Sequence, residues 1–238
     1  MEMDFDYEYE RYAGDSFLDT FMQNINNTFD VSADEQIKNL KIKQRNLNYE
    51  TADVIKIFSS DNSDAYYKML EDSNIDEEII AIYEMKIIYA YRLFELKSKR
   101  LLKAFYPKEV TKGLYKWDVM LSFFKNKGIN LKLFKEFENI NDLRIVNNNL
   151  KHSSEVDNEI LAIREFSKIG VYDFEELESF YDRVKDSPIK FLQEIASAIS
   201  KERYVFDDAK IEAIAHSLAK RMEKKDEELL IKKLSSKY

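Results

Sequence analysis

The chain has 238 residues, 45% hydrophobic and 34% charged, with 4 Gly, 2 Pro, no Cys and a formal net charge of −8. That hydrophobic fraction can fill a core, which excludes a wholly disordered tail. So few Gly and Pro exclude turn-rich sandwiches, barrels and doubly wound sheets, which draw on positive φ and fixed turns. Without cysteine there is no disulfide framework, thiolate zinc site, iron–sulfur cluster or cysteine nucleophile.

The expected class is therefore all-α, with long helices and few connections. At roughly 150 residues per domain the length suits one large domain, or a core with a helical extension. Residues 1–14 mix acids with Phe and Tyr and read as a surface arm. Phe17, Phe21 and Ile25 recur every four residues, so 16–28 reads as an amphipathic helix. One or two helices are expected over 32–58, followed by a polar linker at 59–64.

The most apolar helix is expected from Asn74, which can cap it, with Asp76, Glu77 and Glu78 in the first turn. Ile80, Ile87, Phe94 and Leu101 repeat every seven residues, while Ile79, Ile82, Ile88 and Leu93 fill much of the other side. A helix apolar nearly all round is central in its bundle or shared with a partner. Pro107 closes it.

The next helix carries Leu114, Trp117, Leu121 and Phe124 and stops at Gly128. A polar helix over 141–152 follows, then an amphipathic one over 155–168. Another starts at 174 behind Asp173, with Pro188 kinking or restarting it, and runs to about 200. Asp207 or Asp208 opens a final helix with Ile211, Ala215, Leu218 and Met222 on one side and a solvated, mixed-charge end. The organisation expected is 1–64 as an N-terminal arm and helices, 65–200 as the helical core and 201–238 as a C-terminal helical extension.

Histidine limits the chemistry further. His152 and His216 are the only imidazoles, and neither has a Glu three residues before it, so neither a histidine-rich metal centre nor a bundle carboxylate site fits. His216 falls away from the apolar stripe of its helix, in a charge ladder with Glu212 and Lys220. The acidic net charge argues against non-specific coating of nucleic acid. A local basic stretch nevertheless includes Lys97, Lys99, Arg100, Lys103, Lys108, Lys112 and Lys116; it is either a phosphate-binding patch or a solvated helix end. No apolar run is long enough to cross a membrane and the acidic start is unlike a signal peptide, so a cytoplasmic protein is expected.

The segment richest in chemistry is 141–152. On a helical wheel Leu143, Val146 and Leu150 form the core face, while Arg144, Asn148 and His152 are successive i, i+4 neighbours on the opposite stripe. Ile145 lies beside that stripe, an apolar residue that a partner could cover. Arg offers a permanent bidentate phosphate ligand, His a proton carrier near neutrality, and Asn an orienting amide. These are parts for cleaving a phosphodiester without metal. The bland alternative is a polar surface helix.

Arg144, Asn148, Lys151 and His152 near a helix end resemble the HEPN superfamily (higher eukaryotes and prokaryotes nucleotide-binding) in its R-x-x-x-N-x-x-K-H variety. The long central helix, the Trp117 helix and the Gly128 break are also similar to that family, over roughly 65–200. Seven residues separate Arg144 from His152, against four to six in the common motif. The resemblance implies an antiparallel helical bundle with terminal extensions and no cofactor. It also implies a homodimer in which Arg144 and His152 line a shared cleft, with Asn148 and Lys151 as supporting polar residues; the basic stretch, with Lys97, Arg100 and Lys103, could hold an RNA backbone leading into that cleft, and Lys151 would meet the same RNA. The activity implied is a metal-independent endoribonuclease acting on tRNA or other structured RNA, as a bacterial toxin or anti-phage effector with an antitoxin or defence-system partner. The alternative is a catalytically inactive helical module that binds a protein or nucleotide.

Overall fold

The computed structural model describes residues 28–57, 63–109, 113–152, 158–166, 170–204 and 206–236. Those residues are all-α, with no strand among them. The helices are α1 (Thr28–Ile57), α2 (Ser63–Phe105), α3 (Trp117–Asn126), α4 (Phe137–His152), a four-residue α5 (Asn158–Leu161), α6 (Phe174–Val184), α7 (Ser187–Tyr204), α8 (Asp208–Ala219) and α9 (Lys224–Ser235). A 3₁₀ turn at Leu131–Leu133 precedes α4. None of the described helices is long and apolar enough to cross a membrane. Residues 16–27 of the expected 16–28 helix lie outside the described residues, as do 59–62 of the expected 59–64 linker.

Two compact units form, residues 1–196 and 197–238. In the first, α2 is the spine, packing against α1, α4 and α6. Ile75, Ile79, Tyr83, Ile87, Phe94, Leu101 and Leu102 are buried along it, and only a stripe of Met85, Tyr89 and Leu96 stays exposed among its large apolar residues from 75 onward. The near-continuous apolar surface thus reflects a helix with neighbours on three sides. Its start is earlier than expected. Asn74 lies within α2 rather than at its cap, because one Asn costs a helix only a few tenths of a kcal/mol (~0.5) against Ala.

One cluster of rings fixes the end of the unit that carries α4. Phe94 meets Tyr91, Trp117 and Phe191 at centroid distances of 5.9, 6.4 and 6.0 Å. Trp117 stacks on Phe137 at 5.8 Å and 25°, which ties the start of α3 to the start of α4. Gly128 takes φ 78° and turns the chain after α3, the position where a side chain would strain the backbone.

Two expected helices are shorter than their patterns. The one read from Leu114 begins at Trp117, and of the one read over 155–168 the described residues 158–166 hold only α5 as helix. Past Leu161 the chain tightens through bonds three residues apart, Ala162 to Glu159, Ile163 to Ile160 and Phe166 to Ile163. That tightening seats Ile160, Ile163 and Phe166 in the core. Pro188 stands at the start of α7, where the missing N–H costs nothing. The final helix is two, α8 and α9. Asp207 caps α8 by accepting from the Lys210 amide at 2.8 Å.

Candidate functional site

Helix α4 forms because Ile140, Leu143 and Val146 recur at helical spacing, and all three are fully buried. Its outer side is held by Arg183 of α6. That guanidinium makes a bidentate pair with Glu165 (2.7 and 2.8 Å), meets Asp142 at 3.0 Å and donates to Asn139 at 2.7 Å. Burial pushes the Asp142 carboxyl up, although Arg183 pulls it down. Burial also pushes Glu165 up, but its bonds to Arg183 and Arg164 outweigh this and leave it lowered.

Arg144 sits in the middle of α4, half-buried. Its Nη2 donates to Asn141 Oδ1 at 3.0 Å, and its guanidinium carbon lies 5.8 Å from the centre of the Trp117 ring. Its Nε is buried without a hydrogen-bond partner. Tyr91 of α2 lies close enough to feel the charge: burial and Glu95 push its hydroxyl up to about 12, while Arg144 pulls the other way. The crevice beside Trp117 and Tyr91 holds only about 20 Å³, space for a water but not for a nucleobase.

The three asparagines divide. Asn148 is exposed and accepts from Asn147 Nδ2 at 3.1 Å. Asn147 is buried, with its Oδ1 unpaired. Asn149 is buried too, and accepts from the Tyr172 hydroxyl at 2.5 Å. Asn147 follows Leu143 by one turn, so the wheel already sets it beside the core face; Asn149 lies farther round, and its core-side signal is Tyr172, far away in sequence.

Lys151 and His152 are exposed in the last turn of α4, where the helix dipole favours cations. Eight residues of helix rise about 12 Å, and the Arg144 guanidinium turns back toward Asn141, away from His152. Within one chain the two side chains therefore do not converge. Of the basic residues singled out on α2, Arg100 and Lys103 are exposed, whereas Lys97 is buried and its amine is lowered by burial and by Arg100. Lys97 is thus not presented to a phosphate. His216 is exposed on α8.

A second polar cluster escaped the sequence reading. Lys86, 3% exposed on α2, donates to Asp34 of α1 at 2.5 Å and lies 4.2 Å from the centre of the Tyr181 ring. Beside it Glu178 accepts from Lys41 at 2.8 Å and from the Tyr83 hydroxyl at 2.6 Å, and Tyr181 donates to Asp30. Burial first, then the Glu178 bond, raises Tyr83; burial and Asp30 do the same to Tyr181. A lysine in register with Tyr83 and Ala90 on an apolar helix was the available signal. Every charge named here has a partner, so the cluster fastens α1 to α2 and α6. No group of three His, Asp or Glu placed to hold a metal occurs among the described residues.

No known protein family, curated protein or solved structure matches this chain.

Proposed function

We propose that the chain is a metal-independent endoribonuclease of the HEPN type, cytoplasmic and acting as a homodimer on tRNA or other structured RNA. What supports the reading is the exposed end of α4, where Asn148, Lys151 and His152 offer an amide, an ammonium and an imidazole to solvent within about one turn of helix. In this scheme His152 takes the proton of a ribose 2′-hydroxyl. The 2′-oxygen attacks phosphorus, the 5′-oxygen leaves and is protonated, and a cyclic phosphate remains. Such acid–base help is worth roughly 10²–10⁴-fold. Arg144 of a second chain supplies the charge that stabilises the phosphorane, since the Arg144 of the same helix is turned away. A bacterial toxin or anti-phage role, with an antitoxin or defence partner, extends the same resemblance.

The engagement of Arg144 by Asn141 and Trp117 favours a second reading, a catalytically silent helical module that binds a protein or nucleotide. His152→Ala separates the two. The nuclease reading expects purified protein to cut total RNA in EDTA and the variant, with an unchanged circular dichroism spectrum, to lose that cleavage. No cleavage by wild type, with full biological effect retained by the variant, establishes the silent module.

A further inference from the structure

One face of α2 stays uncovered. At about 100° per residue Met85, Tyr89, Arg92, Leu96, Arg100 and Lys103 fall within about 80° of one another, and all six are exposed. The stripe is apolar at its start and basic at its end: over 92–108 six bases stand against Glu95 alone. Helix α1 leaves the basic end open for a geometric reason. Asp34 meets Lys86 and Gln44 meets Asp76, so the two helices run antiparallel residue for residue. Thr28, the first residue of α1, therefore comes level with Arg92. Past that level about 16 Å of α2, from Arg92 to Lys103, has no cover from α1.

Residues 1–27 lead into α1 at that level and carry the complement. Over 1–19 seven acids stand against Arg11 alone, and over 1–10 Met, Phe and Tyr alternate strictly with Asp and Glu. An extended backbone sends successive side chains to opposite sides, so this pattern can offer carboxylates along one edge and apolar groups along the other. Phe17, Phe21 and Ile25 add apolar side chains nearer α1. A segment of 27 residues reaches up to about 90 Å, several times the open length. Its covalent link holds it at an effective concentration on the order of millimolar. A phosphate backbone answers only the cations of the stripe and leaves Met85, Tyr89 and Leu96 wet. The acidic, aromatic segment answers both.

We propose that residues 1–27 dock in cis on this stripe of α2, their acids on Arg92, Arg100 and Lys103 and their apolar side chains on Met85, Tyr89 and Leu96. The docking does not depend on the nuclease reading. Arg100 and Lys103 are also cations that reading gives to RNA, so where it holds the segment is a built-in competitor of the substrate.

A distance measurement in the full chain tests the docking, with no RNA and no cleavage in the readout. The chain has no cysteine, so Ala13→Cys with Ala104→Cys carries two nitroxide labels, one on the segment and one on the exposed flank of the stripe. Pulsed electron paramagnetic resonance is expected to show one narrow distance, unchanged when labelled chains are diluted into an excess of unlabelled ones. Neutralising the acids of 1–10 (Glu2→Gln, Asp4→Asn, Asp6→Asn, Glu8→Gln, Glu10→Gln) is expected to replace it with a broad distribution. Arg92→Glu with Arg100→Glu and Lys103→Glu is expected to do the same. Changing those five acids to Lys in the chain with the three reversed cations is expected to bring the narrow distance back, which guards against misfolding. A broad distribution before any charge is altered overturns the proposal and leaves the stripe to RNA or another protein. So does a narrow distance lost on mixing with unlabelled chains, which assigns the contact to a second copy. A distance indifferent to both sets of charges, or a combined variant that stays broad, overturns it as well.

Discussion

Replacing Arg183 with Ala removes the cation that joins α6 to α4 and to the turn after α5. Its side chain is 13% exposed, and Glu165, its bidentate partner, only 5%. Breaking a buried pair from one side costs about 3–5 kcal/mol, because the remaining charge is stranded. Two features soften the loss. Arg164 still reaches Glu165 at 2.7 Å but is 73% exposed, a contact worth about 1 kcal/mol at most. Asp142, already pushed up by burial, takes a proton more readily once the guanidinium is gone. The expected cost is therefore at the low end, about 3 kcal/mol. For a chain of this size that lowers Tm by roughly 6–12 °C. Arg183→Lys keeps the charge but loses the forked geometry and is expected to cost about 1–2 kcal/mol. Thermal and urea unfolding at neutral pH, followed by circular dichroism, measures both. Arg183→Met combined with Glu165→Leu is expected to regain most of the loss, since an apolar pair strands no charge. An Arg183→Ala melt at the wild-type midpoint refutes the reasoning, as does a double variant no better than the single one.

Phe94→Ala empties the meeting point of Tyr91, Trp117 and Phe191. It is expected to cost about 3–5 kcal/mol in urea titrations, with the fluorescence of Trp117, the chain's one tryptophan, shifted to the red. Gly128→Ala meets no atom within 4 Å, so its cost is the backbone strain of φ 78° alone, about 1–2 kcal/mol; Gly128→Asn is expected to lose less, and equal stability of all three forms would contradict this. Stability is expected to fall with acid. In Glu136, Glu165 and Glu178 burial raises the carboxyl, but hydrogen bonds outweigh it and leave each lowered. Their contribution is complete above the ordinary value of about 4.3 and is lost as pH drops through their lowered values. Asp142 and Glu84, raised by burial, oppose this, because ionising them costs stability as pH rises through their raised values. A urea midpoint that climbs steadily on acidification below about pH 4 would reverse the assigned balance.

The helical class was legible because so few glycines and prolines leave no other economical fold, and the 141–152 helix because Leu143 and Val146 mark its inner face. Other features were set by distant residues. Asn74 carries a capping signal, yet α2 runs through it, since capping preference is local and weak beside the packing that α1, α4 and α6 provide. Asn147 and Asn149 are polar and still face inward, one of them answered by Tyr172. Lys86 is readable as an anomaly in an apolar register, but its answer, Asp34, comes from a helix whose placement no local pattern fixes. At the proposed site the identities of Arg144 and His152 could be read, but not the turn of the guanidinium toward Trp117. On the last two helices the one-sidedness of Ile211, Leu218 and Met222 was plain, whereas the exposure of Ile211 and Leu218 was not.

The central place of α2 has a consequence for biosynthesis. Its last residue is Phe105, but α4 ends at His152 and α6 at Val184. At about 5–20 residues per second, a ribosome takes roughly 4–16 s to make the stretch between the end of α2 and the end of α6. For that interval a 43-residue helix lacks α6, and until α4 is made α1 is, among the described helices it packs against, the one available to shield its oily flanks. The nascent chain is then a natural client for holding chaperones, and slowing translation between Phe105 and Val184 raises the risk of aggregation.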